Sequence, residues 1–243
     1  MLVLDRYTLS GPVPGPETVL EEGMIICMDK PLEWTSADVV RKIRFRLQRR
    51  WHIKKIKVGH TGTLDPLATG LLIICTGKAT RLADTMQAQD KEYVAGITFG
   101  ATTPSCDLEH EIDAVYPWEH IDRNSLEKAL EGFLGEQLQV PPVYSAKVID
   151  GMRAYEFARQ GMETPEMKKN PVQIHLLEIK DYVPPLLTLR IKCSKGTYIR
   201  ALARDLGVAL GSGAYLSSLR RSASGPYKAE DAISIEEFET FFG

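Results

Sequence analysis

Hydrophobic positions along the chain alternate between two periods, and the switches between them mark its elements. Met24–Met28 is a short apolar run stopped by Asp29-Lys30-Pro31, and it reads as a strand. Val39, Val40, Ile43 and Leu47 then recur at helical spacing behind a Thr35-Ser36 cap. Glycines punctuate Gly59–Gly70, which reads as a loop leading into a buried strand, Leu71–Cys75. Ala79–Met86 has helical character and Tyr93–Phe99 that of a strand. The spacing predicts a helix over Ser125–Leu134, with Leu126, Ala129, Leu130 and Phe133 on one face and Gly135 just past its end. Pro141-Pro142 breaks the chain, and Arg153–Gln160 reads as a short helix stopped by Gly161. Val172–Tyr182 and Leu186–Lys192 form two strands joined across Pro184-Pro185. Thr197–Leu210 is strongly periodic and helical, a strand containing Leu216 and Leu219 follows, and Ser234 caps a short acidic helix. The first 22 residues, rich in Pro, Gly and Glu, read as an irregular arm. Strands and helices mix without a regular βαβ alternation, which predicts an α+β fold.

Composition changes this picture little, but the placement of charge changes it a great deal. With 243 residues and 44% hydrophobic positions the chain is long enough for one large domain or two modest ones. A formal net charge of −2 argues against a nucleic-acid partner. Yet Arg41–Lys57 holds nine basic residues and no acid, leaving −11 on the remainder. Such a strip is either a solvated helix face or a localised anion-binding face, and the absence of counter-charge favours the second. Cys27, Cys75, Cys106 and Cys193 are widely spaced and sit near apolar runs, the pattern of reduced, buried thiols. No leader-like segment is visible, and no apolar stretch approaches the roughly 20 residues that span a bilayer. A cytoplasmic protein is expected.

The glycine-punctuated loop is the most informative segment. Inside it sits one acid, Asp65, followed by Pro66, which fixes the next φ angle. An Asp-Pro pair serves equally well as a turn initiator. A phosphate-cradling Walker loop fails, because Gly77-Lys78 is followed by Ala79 and preceded at five residues by Leu72. The five histidines show no metal-ligand spacing.

The run from Gly59 to Leu72, GHTGTLDPLATGLL, resembles the signature motif of the TruB family of tRNA pseudouridine synthases. The resemblance extends from about Met24 to about Gly225. It takes in Lys30-Pro31 with Thr35-Ser36, Lys91-Glu92-Tyr93, Pro141-Pro142-Val143-Tyr144-Ser145-Ala146, Gly196-Thr197-Tyr198-Ile199-Arg200 and Leu219-Arg220-Arg221. It implies the pseudouridine synthase fold, a mixed, largely antiparallel sheet flanked by helices with a central active-site cleft. The implied layout is an arm over 1–22, a catalytic domain over 23–228 with an RNA-gripping insertion at about 141–172, and an acidic helix over 229–243.

The implied reaction isomerises uridine 55 in the T loop of tRNA. The glycosidic bond breaks, the base turns, and it is rejoined through carbon 5. No atom is gained or lost, so no cofactor or metal is called for. By the same resemblance Asp65 is the nucleophile. Burial would raise its pKa, and Arg200 is the cation that opposes this as its ion-pair partner. Arg200→Ala would then harm both stability and catalysis. Tyr93 stacks on the target base and exchanges protons. Tyr198 and Leu219 line the pocket, with a core role equally open to Leu219, and Lys30 is a further substrate-binding residue. His60 contacts the RNA as the uridine flips out of its stack. Backbone phosphates fall to Arg44, Arg49, Arg50, Lys54 and Lys55 in the basic strip, and to Lys147 and Arg153, with Arg159, in the insertion. The expected partner is the T arm of tRNA, bound by a monomer with no obligate protein partner.

Three departures from the family pattern stand out. Glu33 occupies a position that is usually Gly. Thr103-Pro104-Ser105 replaces Thr-Asp-Thr, removing an acid while leaving Asp107 nearby. Many relatives continue into a PUA-type RNA-binding domain, whereas this sequence stops at Gly243, so a full PUA domain is not expected. Two other functions are compatible with the motifs: a tRNA-folding chaperone, and a guide-RNA-dependent pseudouridine synthase subunit.

Overall fold

The computed structural model describes residues 1–145, 147–149, 151–159 and 167–243. Ala146, and Gln160 with Gly161 at the end of the expected short helix, lie outside them. Strands β1 (Leu2–Leu4) and β2 (Met24–Lys30) come first, then helix α1 (Ser36–Trp51), β3 (Val58–His60) and β4 (Ala68–Thr76). Helix α2 (Ala83–Gln87), β5 (Lys91–Phe99), β6 (Ala101–Thr102), β7 (Ala114–Val115), α3 (Arg123–Glu131) and β8 (Gly135–Gln139) follow. The chain continues through β9 (Val148–Ile149), β10 (Met152–Arg153), α4 (Ala154–Arg159), β11 (Asn170–Val183) and β12 (Leu186–Cys193). It ends with α5 (Ile199–Ala209), β13 (Ala214–Ser224), β14 (Tyr227–Lys228) and α6 (Ile235–Phe241). The residues form two compact units, Met1–Tyr93 with Arg220–Gly243, and Val94–Leu219.

In the first unit β2 pairs antiparallel with β4, Ile25 opposite Cys75 and Lys30 opposite Gly70. The short β3 also lies antiparallel on β4, and β1 pairs parallel with β2, so the sheet is mixed. Flanked on both edges, β4 buries nearly every residue, which is why Leu71–Cys75 is unbroken apolar rather than alternating. Ile25, Cys27, Leu71, Ile73 and Cys75 share one face and pack with Ala79, Ala229 and Ala232. Burial in this cluster pushes the Cys27 thiol up to about 12 and the Cys75 thiol up to about 11, which keeps both protonated and unreactive. All four cysteines are buried free thiols, as their spacing predicts.

Helix α1 begins where the cap residues place it. Thr35 accepts from the Asp38 N–H, and the Asp38 side chain accepts in return from the Thr35 N–H. Val39, Val40, Ile43 and Leu47 form its buried face. Helix α6 closes the unit with its own Ser234–Glu237 capping box, and Phe242 meets Trp51 edge to face with ring centroids 5.6 Å apart.

The second unit carries the strand order β13-β5-β12-β11-β8. β11 pairs antiparallel with both β12 and β8. Helix α5 presents Ile199, Leu202, Ala203 and Leu206 to the core. Gly207 permits its close approach to β13, since a Cβ there would lie 2.5 Å from the Ala214 nitrogen.

Several expected boundaries shift, each for a local reason. The supposed irregular arm contains β1 and a single π-helical stretch, Thr18–Glu22, because Leu2–Leu4 finds an open edge of β2. The loop expected over Gly59–Gly70 is strand at both ends, β3 and the start of β4, leaving only residues 61–67 irregular. Helix α3 starts at Arg123 because Asp122 is its N-cap, accepting the Ser125 N–H while the Ser125 hydroxyl accepts the Asp122 N–H in return. It ends at Glu131, and Gly135 opens β8 with φ 86°. The expected Ala79–Met86 helix is a 3₁₀ segment, Gly77–Leu82, followed by α2.

Candidate active site

Asp65 stands in the seven-residue connection between β3 and β4, and the backbone on each side of it is clamped. On its N-terminal side, the Ser36 hydroxyl donates to the Leu64 carbonyl at 3.0 Å and accepts from the Leu64 N–H at 2.9 Å. On its C-terminal side, the Pro66 carbonyl accepts from the Glu33 N–H at 2.9 Å and from Lys30 Nζ at 3.2 Å. The Asp65 carbonyl itself accepts from the Ala68 N–H at 3.1 Å. Helix α1 and the turn before it therefore set where the carboxylate stands.

Lys30 is fully buried, which is unusual for an ammonium. Its Nζ also donates to the carbonyls of Pro31 at 2.8 Å and Trp34 at 2.6 Å, completing three partners for three protons. Burial pushes its pKa down to about 8, with the negative charge of Asp65 opposing the drop. The sequence resemblance makes Lys30 a substrate ligand; in the structure its donors are directed to the Pro31 and Trp34 carbonyls before α1 and to the Pro66 carbonyl of the Asp65 turn.

Glu33 has φ 66°, the left-handed region that glycine populates without strain. The departure from Gly at this position therefore keeps the turn, at a conformational cost of about 1–2 kcal/mol. Glu33→Gly is expected to raise the melting temperature by about 1–3 °C, part of the relief being offset by the greater unfolded freedom of glycine. Differential scanning fluorimetry reads this directly, and a lower melting temperature would contradict it.

Arg221, quoted in the sequence motif but given no role there, is a second clamp. It is buried, donating from Nε to the Leu71 carbonyl at 2.7 Å and from Nη2 to the Gly62 carbonyl at 3.1 Å. Gly70 accommodates it, since a Cβ there would sit 2.4 Å from the Arg221 carbonyl oxygen. His60, the last residue of β3, accepts the Gly62 N–H at Nδ1 over 3.3 Å, which leaves Nε2 to carry the proton of the neutral ring. Burial, with Arg221 adding to it, holds the His60 pKa below its ordinary value, so the ring is a neutral donor at neutral pH. Tyr93, on β5, is 8% exposed.

In the second unit Tyr198 is the N-cap of α5, and Arg200 lies in its first turn. Gln139 brackets Tyr198, donating to its carbonyl at 3.0 Å and accepting its N–H at 2.8 Å. Arg200 is buried, donating to the Ser105 carbonyl at 3.1 Å and lying 3.6 Å from the Asp107 carboxylate. Leu219 is half-buried on β13. Neither Gln139 nor Asp107 carries a periodic or motif signal that assigns it a role.

The basic strip is not one uniform face. Tertiary structure sets a carboxylate and two backbone carbonyls against part of it. Lys42 pairs with Glu239 at 2.8 Å, Arg46 donates to the Glu239 carbonyl, and Arg50 to the Gly243 carbonyl. Arg49 is exposed. Arg44, Lys54 and Lys55 instead line an open cavity of about 680 Å³ together with Lys57, Lys78 and Arg81, and no acid lines it. Lys147 donates to the Lys168 carbonyl and to Asn170 Oδ1. Arg153 falls in β10 and Arg159 in α4, their side chains outside what the structure describes.

Comparison with known proteins bears on this geometry. Residues 49–199 match the model of the TruB family pseudouridylate synthase N-terminal domain, and residues 200–242 that of the tRNA pseudouridylate synthase B C-terminal domain. The chain is 54% identical to tRNA pseudouridine synthase B of Phocaeicola vulgatus, covering 90% of this chain and 92% of that one. It is 48% identical to the protein of that name from Flavobacterium johnsoniae, over 92% and 97% of the two chains. Among solved structures, the fold matches a chain of the archaeal box H/ACA sRNP Nop10-Cbf5 complex with TM-score 0.66 and 25% identity. It matches a chain of a Cbf5-Nop10-Gar1 complex with TM-score 0.67 and 28% identity. This chain spans 56% and 55% of those longer chains. The fold is the pseudouridine synthase α+β fold, with the mixed sheet and flanking helices that the sequence implies. With residues 49–242 matched by the two domain models, and a clamped Asp65 within the signature motif, the chain belongs to the TruB family of pseudouridylate synthases.

Proposed function

We propose that this protein converts uridine 55 in the T loop of tRNA to pseudouridine, with the Asp65 carboxylate as nucleophile. The observation that carries the proposal is the double clamp on the Asp65 turn, Ser36 on one side and Lys30 with Glu33 on the other. A rigidly held carboxylate is what attack on a flipped nucleotide needs. Relatives named tRNA pseudouridine synthase B, similar over nine-tenths of this chain, supply the substrate class.

In this reading Tyr93 stacks on the target base and shuttles its proton. Arg200 supplies fixed positive charge, and Tyr198 and Leu219 shape the base pocket. Neutral His60 donates from Nε2 to the RNA. Lys30 serves the substrate indirectly, by fixing the Pro66 carbonyl beside Asp65. The enzyme works in the cytoplasm as a monomer on the T arm, without guide RNA or protein partner.

The test is pseudouridine mapping on an unmodified tRNA transcript incubated with the purified protein alone. Product at position 55 and nowhere else is expected. Tight binding without product would favour tRNA folding or a guided subunit instead.

The cavity walled by Arg44, Lys54 and Lys55 is the natural phosphate contact, being rich in cations and free of lining acids. Each phosphate neutralised releases counterions, so binding weakens as salt rises. Lys54→Glu with Lys55→Glu is expected to weaken all tRNAs alike and to flatten the log Kd against log salt slope by about 1–2. Both side chains are exposed, so stability should not change. Filter binding at several salt concentrations reads the slope, and an unchanged one would remove this cavity from the RNA path.

A further inference from the structure

Helix α1 spends three of its faces inside its own unit. Val39, Ile43 and Leu47 are buried, and Lys42, Arg46 and Arg50 turn to the C-terminal residues. Arg44 and Gln48 line the basic cavity. What remains is an outward ridge of Arg41, Phe45 and Arg49, four residues apart and all exposed. Residues at that spacing are neighbours on a helix surface, so Phe45 stands between two arginines.

Phe45 is 61% exposed. A single apolar side chain on a surface calls for no explanation by itself. The setting of this one does. The same unit gathers its other aromatic rings, with Trp51, Phe238 and Phe241 each packed on Phe242. Phe45 joins no ring contact among the described residues. Its surroundings are cationic, since the segment from Arg41 to Lys57 contains no acid. Asp38 at the start of the helix is paired with Arg41, while Arg49 makes no ion pair among the described residues. Gln48, a surface neighbour of Phe45 three residues on, carries the ridge to the rim of the cavity.

A ring face held in water between cations suits a partner that is anionic and also has flat apolar parts. RNA is such a partner, and charge complementarity favours it over another protein. A duplex keeps its base faces inside the stack and offers the ridge only phosphates, which arginine alone would serve. An unpaired strand offers base faces as well, and a basic groove beside an aromatic side chain is how such strands are held.

We infer that Phe45 is a stacking platform for an unpaired nucleotide of the bound RNA, on a strand whose phosphates pass through the neighbouring cavity. The inference rests on the function proposed above. The nucleotide is not the target uridine. Phe45 lies nine residues along α1 from Ser36, which holds the Asp65 turn, and that is about 14 Å of helix.

The experiment measures binding of an unmodified tRNA transcript to the full chain at several salt concentrations. Wild type is compared with Phe45→Ala, Phe45→Leu and Phe45→Trp. The alanine and leucine variants should bind about fivefold or more weakly at every salt concentration, the scale of one lost base stack. Their log Kd against log salt slope should match wild type, because no phosphate contact is lost. Phe45→Trp should bind within about twofold of wild type and gain an emission that the RNA quenches. With p-azidophenylalanine at position 45, photocrosslinking should join the protein to an unpaired nucleotide. A crosslink confined to a paired stem, or leucine binding as tightly as phenylalanine, would overturn the inference. So would an alanine variant that binds tRNA like wild type, including one whose only change is weaker self-association in sedimentation. Each of those results leaves the functional reading standing as long as wild type makes pseudouridine. A wild type that neither binds nor modifies the transcript removes that reading, and this inference with it.

Discussion

Asp65→Asn is expected to make no detectable pseudouridine while binding unmodified tRNA as tightly as wild type. The exchange keeps the shape of the side chain and removes its charge and its nucleophilic oxygen. The turn is held through its backbone on both sides of that side chain. Ser36 holds Leu64, Lys30 and Glu33 hold the Pro66 carbonyl, and the Ala68 N–H takes the Asp65 carbonyl, all through backbone atoms of the turn. Chemistry and binding should therefore separate cleanly. Loss of a nucleophile typically costs about 10⁴-fold or more in rate. Release of label from carbon 5 of the target uridine, followed in a single turnover, measures the chemical step. Residual activity within about tenfold of wild type would mean that another group performs the attack. Tight binding by an inactive Asp65→Asn would also show that any tRNA-folding activity can persist without catalysis.

Lys30→Met should produce the largest loss of stability. Methionine matches the length of the lysine stem but leaves the carbonyls of Pro31, Trp34 and Pro66 without their shared donor. Removing one side of such a buried charge-assisted cluster costs about 3–5 kcal/mol. In a chain of this size that lowers the melting temperature by about 6–20 °C. The pH dependence gives a second signature. Lys30 titrates near 8 in the folded protein and near its ordinary 10.5 when unfolded. Between those values the unfolded chain holds a proton that the folded one has released. The Lys30 contribution to stability therefore rises with pH across this window and is flat below it. Urea unfolding at pH 7.5 and pH 10 should show the gap between wild type and Lys30→Met widening at the higher pH. A gap that narrows, or a total loss under about 1 kcal/mol, would show that the three carbonyls find other partners.

Local sequence settles those features whose physics is local. The caps at Thr35 and Ser234 and the buried stripe Val39, Val40, Ile43 and Leu47 rest on hydrogen bonds and spacings a few residues long. They are legible for that reason. Where the reading slips, the deciding contact is distant in the chain. β1 exists because β2 offers it an edge 22 residues later, and β3 because it pairs with β4 across the signature turn. Neither short strand has enough length to show a period of its own.

The same division runs through the candidate site. The sequence by itself determined the family, the glycine-rich turn and the identity of its acid, because a turn motif is written in consecutive residues. Tertiary structure alone decided how that acid is held. Ser36 and Arg221 reach the turn from 28 and 159 residues away, and the motifs that contain them do not announce these contacts. It alone divided the basic strip, sending Lys42 and Arg46 to Glu239 of α6 and Arg50 to Gly243, while Arg44, Lys54 and Lys55 joined Lys78 and Arg81 around a cavity. It also set Asp107 against Arg200, 93 residues apart, after the expected acid had become Pro104. A one-dimensional pattern fixes which groups are present and how each element turns its faces. Which charges meet is fixed by packing, because Coulomb and hydrogen-bond energies depend on distances in space that sequence separation does not contain.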